Sequence, residues 1–484
     1  MSWRRILLLL VLVAGLGTYL WVYEIPKARE EGKKAKLLGV DKDAITGIDL
    51  VFPDREIELK KGDQGWRLVK PVDAQADDTT VKSLVNTLAD AEVQRTLDEA
   101  PQDPAAFGLD KPSPLVKLTV KSGPEPPPIA VGKNTAIGGK SYVRKGDEPK
   151  LYLTTSSLQF GLNKQAKDLR DKQLVTFQDD DVQRVDVASG GQTTTLVRKG
   201  KDAWVVQPGD QPADPTEVRS YLSTLRSTRA TDFPDDAPAD LAKYGLDQPR
   251  LSVTLAAGKD GTETQTLLLG SEGTQGTQKL VYAKRASQPT IYAVGDWTPR
   301  SLGKQANDFR DKTVLAFDQS RVGRVVIDHK GGGASATLAR TGDAWTVDGT
   351  DGKKAKETAI SRFVDDLHDL RGASIAAEPA GDLAPYGLDA PDLRITLTDK
   401  DGQAIGTIVG AKHDAKYYVM KAGGQTVYEA RDYMFTRLDK KSGDFVEAEP
   451  KPGATATTVP GNPAPPPLPP ADEGGDEGDG EDAE

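Results

Sequence analysis

Phe107-Gly-Leu-Asp-Lys-Pro112, Tyr244-Gly-Leu-Asp-Gln-Pro249 and Tyr386-Gly-Leu-Asp-Ala-Pro391 are three versions of one six-residue stretch. Each member has a physical reason to be there. The aromatic and Leu can plug a core, Gly can adopt positive φ, and Pro pre-extends the entry to a following strand. A turn that recurs in this form implies that everything around it recurs too, and three further landmarks do so in the same order. Trp66, Trp204 and Trp345 each follow a Gly-containing turn, at separations of 138 and 141. Tyr152, Tyr292 and Tyr428 each sit in a later apolar run, and Asp168-Leu-Arg-Asp-Lys172 matches Asp308-Phe-Arg-Asp-Lys312. A period near 140 is domain-sized, so each copy is expected to carry its own core rather than to stack as a solenoid.

Within a copy, alternation of apolar residues marks the opening strands: Ile48, Leu50 and Phe52, then Ile57 and Leu59, then Trp66 and Leu68. A helical stripe follows at i, i+3, i+4, i+7: Val81, Leu84, Val85 and Leu88, repeated as Val218, Tyr221, Leu222 and Leu225, and as Ile360, Phe363, Val364 and Leu367. This spacing lays one apolar stripe on one helix face. Asp214, Pro215 and Glu217 spell a capping box for the middle helix. Asp260-Gly261 and Asp401-Gly402 mark hairpins between later strands. The expectation is an α+β chain of three tandem repeats, each a mainly antiparallel β-sheet with one main helix, over residues 37–175, 176–315 and 316–447.

The termini differ from this body. Residues 1–5 read as a short cytoplasmic N-terminus. Ile6–Tyr23 is 18 uncharged, mainly apolar residues after Arg4 and Arg5, flanked by Trp3 and by Tyr19, Trp21 and Tyr23. That length and those aromatic ends fit a transmembrane anchor. A cleaved signal peptide is the competing reading, but its cut would leave apolar Thr18–Tyr23 on the mature end. Residues 24–36 form a linker, and with one span the bulk of the chain is expected on the periplasmic side of the cytoplasmic membrane. Residues 448–484, Pro-rich and then acidic, bury too little apolar surface to order and are expected to be a disordered tail.

Of the net charge of −10, Asp472–Glu484 supplies −8, so the rest of the 484-residue chain is close to neutral and offers no basic excess for nucleic acid. With no Cys, thiolate zinc sites and Cys nucleophiles are excluded. His329, His368 and His413 all fall in the third copy, so no histidine chemistry can belong to the repeated unit. Asn134-Thr-Ala-Ile-Gly-Gly139-Lys140-Ser141 lacks the first Gly of a phosphate-binding loop and leads into a strand pattern, so it reads as a hairpin. Asp179-Asp180-Asp181 reads as a solvated charge run. No catalytic, cofactor or metal residues are assigned. The residues singled out are the repeated turns (Phe107, Gly108, Leu109, Asp110, Pro112; Tyr244, Gly245, Leu246, Asp247, Pro249; Tyr386, Gly387, Leu388, Asp389, Pro391) and Arg170 and Arg310. Those two arginines lead into a further copy, whereas the third copy has Val446 there, so they are expected to pack across the joints between repeats.

With these residues in hand, the chain resembles the bacterial domain-of-unknown-function family 4340 over roughly Leu37–Phe445. The resemblance rests on the N-terminal anchor, the turn-Trp openings, the helix and the aromatic-Gly-Leu-Asp-x-Pro turns. It implies a noncatalytic, envelope-exposed accessory or scaffold protein, whose partners would include subunits of gliding-motility-type ABC transporters. The alternative from the residues alone is a periplasmic polymer-binding protein or hydrolase using a carboxylate-lined groove between repeats.

Overall fold

The chain leaves Ala44 in a strand, Ile45–Val51, which buries Ile45, Ile48 and Leu50 and shifts register between Ile45 and Gly47. In the computed structural model, which describes residues 35–97, 102–331, 336–342, 344–350 and 353–447, this strand is the fourth from one edge of a nine-stranded antiparallel sheet. From it the chain meanders to one edge through Glu56–Gly62, Gly65–Lys70 and Ala74–Gln75. Helix α1, Asp78–Ala89, then crosses one face, and Arg95–Leu97 forms the far edge. The rest meanders outward on the other side: Leu115–Val120 beside the first strand, then Ile129–Asn134, Lys140–Lys145 and Leu151–Thr155, which pairs with Arg95–Leu97.

The second repeat has the same nine-strand order, with helix α2 at Pro215–Ser227. The third shows eight strands among the described residues, with helix α3 at Glu357–His368. The described residues divide into two compact units, the first ending at Asp311 and holding two repeats, the second beginning at Lys312 and holding one. Each repeat has its own apolar core between helix and sheet, and every residue of the three helical stripes is buried in it. Trp66, Trp204 and Trp345 are buried in the same cores. Leu174 and Val175 pack with the second core, Val314 and Leu315 with the third.

The helix starts are held by one device used three times. A short segment near the end of each repeat returns to the main helix, and the carbonyls of Leu169, Phe309 and Phe445 accept the N–H of Asp77, Asp214 and Lys356. These are the residues just before α1, α2 and α3, whose N–H groups need partners. Asp214 accepts from the N–H groups of Thr216 and Glu217, as expected. Its own N–H, however, goes to Phe309 rather than to Glu217, whose carboxylate pairs with Lys304 at 2.9 Å. The expected capping box is thus half replaced by tertiary structure.

The anchor expected at Ile6–Tyr23 and the tail expected at 448–484 lie outside the described residues. Among those described, no helix is long and apolar enough to cross a membrane.

Candidate functional site

The repeated turns lie on the sheet face opposite the main helix core. Gly108, Gly245 and Gly387 all have positive φ, at 68°, 62° and 66°. This sends the chain back so that Leu109, Leu246 and Leu388 bury in small separate clusters. The turn aromatic meets a strand tyrosine edge-on in every copy: Phe107 on Tyr142 at 4.9 Å, Tyr244 on Tyr282 at 5.0 Å, Tyr386 on Tyr418 at 5.1 Å. The turn backbone sits so close to the neighbouring strand that a Cβ on Gly132 or Gly270 would lie 2.2 or 2.1 Å from the carbonyl oxygen of Phe107 or Tyr244. Asp110, Asp247 and Asp389 are exposed beside these clusters. The geometry is that of packing.

The segment carrying Arg170 leads to a cleft. Its first Asp is explained locally: Asp168, Asp308 and Asp444 each accept the backbone N–H three residues earlier, at 2.8–2.9 Å, capping a short helical turn. Leu169, Phe309 and Phe445 then plug the cores. The next residue pairs with the strand before the main helix: Arg170 with Ala76, Arg310 with Ala213, Val446 with Ala355. Position 446 is therefore the third-copy equivalent of the two arginines.

The Arg170 side chain, 6% exposed, reaches from the first repeat into the second. Its two terminal nitrogens donate to Asp236 at 3.0 and 2.6 Å, and its guanidinium lies 3.8 Å from the centre of the Phe233 ring. A planar five-donor group suits this combined fork and stack. Asp171, its neighbour in sequence, is not its partner. Lys167 adds a second ion pair across the joint, to Asp232 at 3.2 Å. Burial acts to raise the Asp232 pKa, but the Gln275 amide, the Phe233 N–H and the Lys167 ammonium outweigh it and hold the carboxyl below its ordinary value. Arg310 donates to Gln211 of its own repeat at 3.4 Å.

Around Arg170 the joint opens into a cleft of about 530 Å³ whose walls carry Asp73, Asp171 and Asp236 together with Arg67, Arg285 and Tyr292. Asp73 accepts from Arg67 at 2.6 Å, Asp236 from Arg170, and Asp171 from the backbone N–H of Gln173 at 2.9 Å. Each carboxylate is thus held by a donor from the protein itself. Burial pushes the Tyr292 phenol up, with Arg285 and Arg170 opposing. Sequence reasoning placed Arg170 but missed Asp236, Phe233 and Asp232. The edge strand supplies Arg95 in the first repeat and Ser374 in the third where the second has Asp232, so no repetition could flag them.

The histidines are dispersed. His329 meets Asp439 at 2.8 Å, and His368 meets Asp369 at 2.9 Å while standing edge-on to Phe317. Among the described residues no three His or acidic side chains are grouped to hold a metal ion. The Asn134–Ser141 stretch is a hairpin, with Ser141 Oγ donating to Asn134 at 2.6 Å and a strand on each side.

Three segments, 66–207, 204–371 and 345–456, match the family described as Domain of unknown function (DUF4340), and the chain belongs to it. Each match begins at one of the three repeated tryptophans, so the family's frame starts inside a sheet and, in the first two matches, runs on into the next repeat. No curated protein matches the chain.

Proposed function

We propose that this is a noncatalytic accessory or scaffold protein of the bacterial envelope, anchored in the cytoplasmic membrane by Ile6–Tyr23, with its three β-rich repeats on the periplasmic side. Subunits of a gliding-type ABC transporter are the partner class that the family resemblance nominates. The observation that carries this reading is the contrast between what is repeated and what is not. Core aromatics, turn glycines and helix stripes recur three times; the acids that recur with them are the exposed turn aspartates and the capping Asp168, Asp308 and Asp444, and the charged groups at the joint between the first two repeats are used in ion pairs. A catalytic site needs acids, bases or nucleophiles kept available in a concave pocket. The Pro-rich tail would add reach, on the order of 60 Å for about 20 residues if extended as polyproline.

Protease added to cells with a permeabilised outer layer should digest the repeats, and protection until lysis would reverse the topology. The purified chain should turn over neither envelope polymers nor nucleotides. A second reading, polymer binding or hydrolysis, draws on the 530 Å³ cleft with its three aspartates. Turnover of a glycan or peptide polymer that Asp73→Asn or Asp171→Asn abolishes would favour it.

A further inference from the structure

The first repeat carries an apolar tip that the other two lack. Its hairpin between Ile129–Asn134 and Lys140–Lys145 ends in Ala136-Ile137-Gly138, and Ile137 is 90% exposed. The corresponding turns are Gly276-Thr277 and Asp414-Ala415, both lacking a large apolar side chain. The tip is firmly built. Thr135 N–H donates to the Lys140 carbonyl, Thr135 Oγ donates to the Ile137 carbonyl, and Gly139 accepts from Ser156 N–H at 2.9 Å. Ser156 begins the short helix Ser157–Leu162, which carries Phe160, itself 68% exposed. The charge here is one-sided. Residues 131–143 and 151–164 contain Lys133, Lys140 and Lys164 with no acid, whereas Arg144 and Lys145 lie at the other end of their strand beside Asp147 and Glu148, and Lys167 is paired with Asp232.

The hairpin also stands where the chain enters the fold. The Ala35 carbonyl accepts Val93 N–H, and Gln94 N–H donates to Leu153 on the next strand. Two residues further along that strand, Thr155 pairs with Lys140 at the hairpin base. Entry point and hairpin therefore share one end of the sheet, about three strand spacings or on the order of 15 Å apart. Asp90 and Glu92 also lie near this entry, and Asp90 is paired with Lys36 at 2.8 Å. Between Tyr23 and Ala35 are eleven residues, which span at most about 40 Å fully extended.

We infer that the Ile137 hairpin tip, with Phe160 beside its base, docks the first repeat onto the anionic phospholipid surface next to the anchor. Ile137 and Phe160 enter the headgroup–acyl boundary and the basic flanks meet lipid phosphates. The argument that the bilayer lies within reach rests on the anchor reading. The tip chemistry does not depend on it.

The chain has no Cys, so Ala136→Cys gives a single site for an environment-sensitive fluorophore that leaves Ile137 in place. The labelled full chain is compared in phosphatidylcholine vesicles with and without phosphatidylglycerol. Blue-shifted emission and quenching by a lipid-borne quencher are expected only with the anionic lipid. Ile137→Ser should lower the docked-to-undocked ratio by roughly tenfold or more, and Lys133→Glu with Lys140→Glu should remove the difference between the two vesicles. A label at Thr277→Cys should stay water-exposed. A chain that floats with vesicles after alkaline washing while the Ala136 probe stays in water overturns the docking and leaves the anchor standing. A probe that shifts equally at Thr277, or that shifts only when envelope protein is added, also overturns it. Loss of flotation with the Ala136 shift retained refutes the anchor and upholds the tip.

Discussion

The aromatic turns and the hairpin tips lie against the same sheets, yet the three copies agree at the first and differ at the second. The turn aromatics meet their tyrosines at 4.9, 5.0 and 5.1 Å in three copies. The tips carry Ile137, Gly276-Thr277 and Asp414-Ala415. Burial enforces the first set, because close-packed groups cannot change one at a time without cost. Nothing in folding enforces the second, so differences there are free to serve partners. In this chain the sites to interrogate are those where three copies of one fold disagree.

The largest expected effect comes from breaking what the copies share. Gly270→Ala places a Cβ 2.1 Å from the Tyr244 carbonyl oxygen, against backbone that cannot rotate away. It should cost about 3 kcal/mol, as strong overpacking does. Leu246→Ala, in the same cluster, should cost about as much by leaving a cavity. Both are read from denaturant midpoints, and a loss within error at either site would mean the turn is not a packing element.

The joint lies between the two regions in kind, being buried but not repeated. Asp236→Ala leaves the Arg170 guanidinium mostly enclosed without its partner, and should destabilise the first two repeats by about 2 kcal/mol, less than a wholly buried pair because Asp236 is partly exposed. Arg170→Val, copying the third repeat's Val446, removes the enclosed cation and leaves only Asp236, which is partly exposed and can be solvated, so it should cost less. If Asp236→Ala were harmless while Arg170→Val was costly, the stack on Phe233 rather than the ion pair would hold the joint.

Acid tests the same joint with a smaller effect. The Asp232 pKa is held below the ordinary 3.8, so its contribution is complete above that unfolded-chain value and disappears as pH falls through the lower folded value. Asp232→Asn should remove that contribution at neutral pH, a small loss, and leave stability below the folded value little changed, so the acid side of the profile flattens. An unaltered acid limb would show that Lys167 and Gln275 do not bias this carboxyl. At the bottom of the scale, Ile137→Ser and Thr277→Ile should each move stability by no more than about 0.5 kcal/mol, because both positions are exposed. A larger change would make the tips part of the fold.

The repeat, its antiparallel sheet and the buried helix stripes were legible because periodicity and turn chemistry are local. The capping of α2 was legible only in half: Asp214 receives the helix N–H groups, but the return of Phe309 across 95 residues displaced Glu217. Arg170 stood out because one copy departs from the others. Asp236 and Phe233 did not, since a partner present in one repeat alone leaves no pattern along the chain. The Ile137 hairpin was legible as a hairpin, but its exposure and its place beside the chain entry are properties of strand order.

The central claim is that the repeats serve as a scaffold for envelope proteins at the membrane. Its most direct test is cross-linking of the full chain in intact membranes, followed by purification and identification of whatever is attached. The account predicts specific enrichment of ABC-type transporter subunits, retained when Asp73 and Asp171 are replaced by Asn. A chain recovered without any envelope protein, but with polymer turnover that those substitutions abolish, would contradict it.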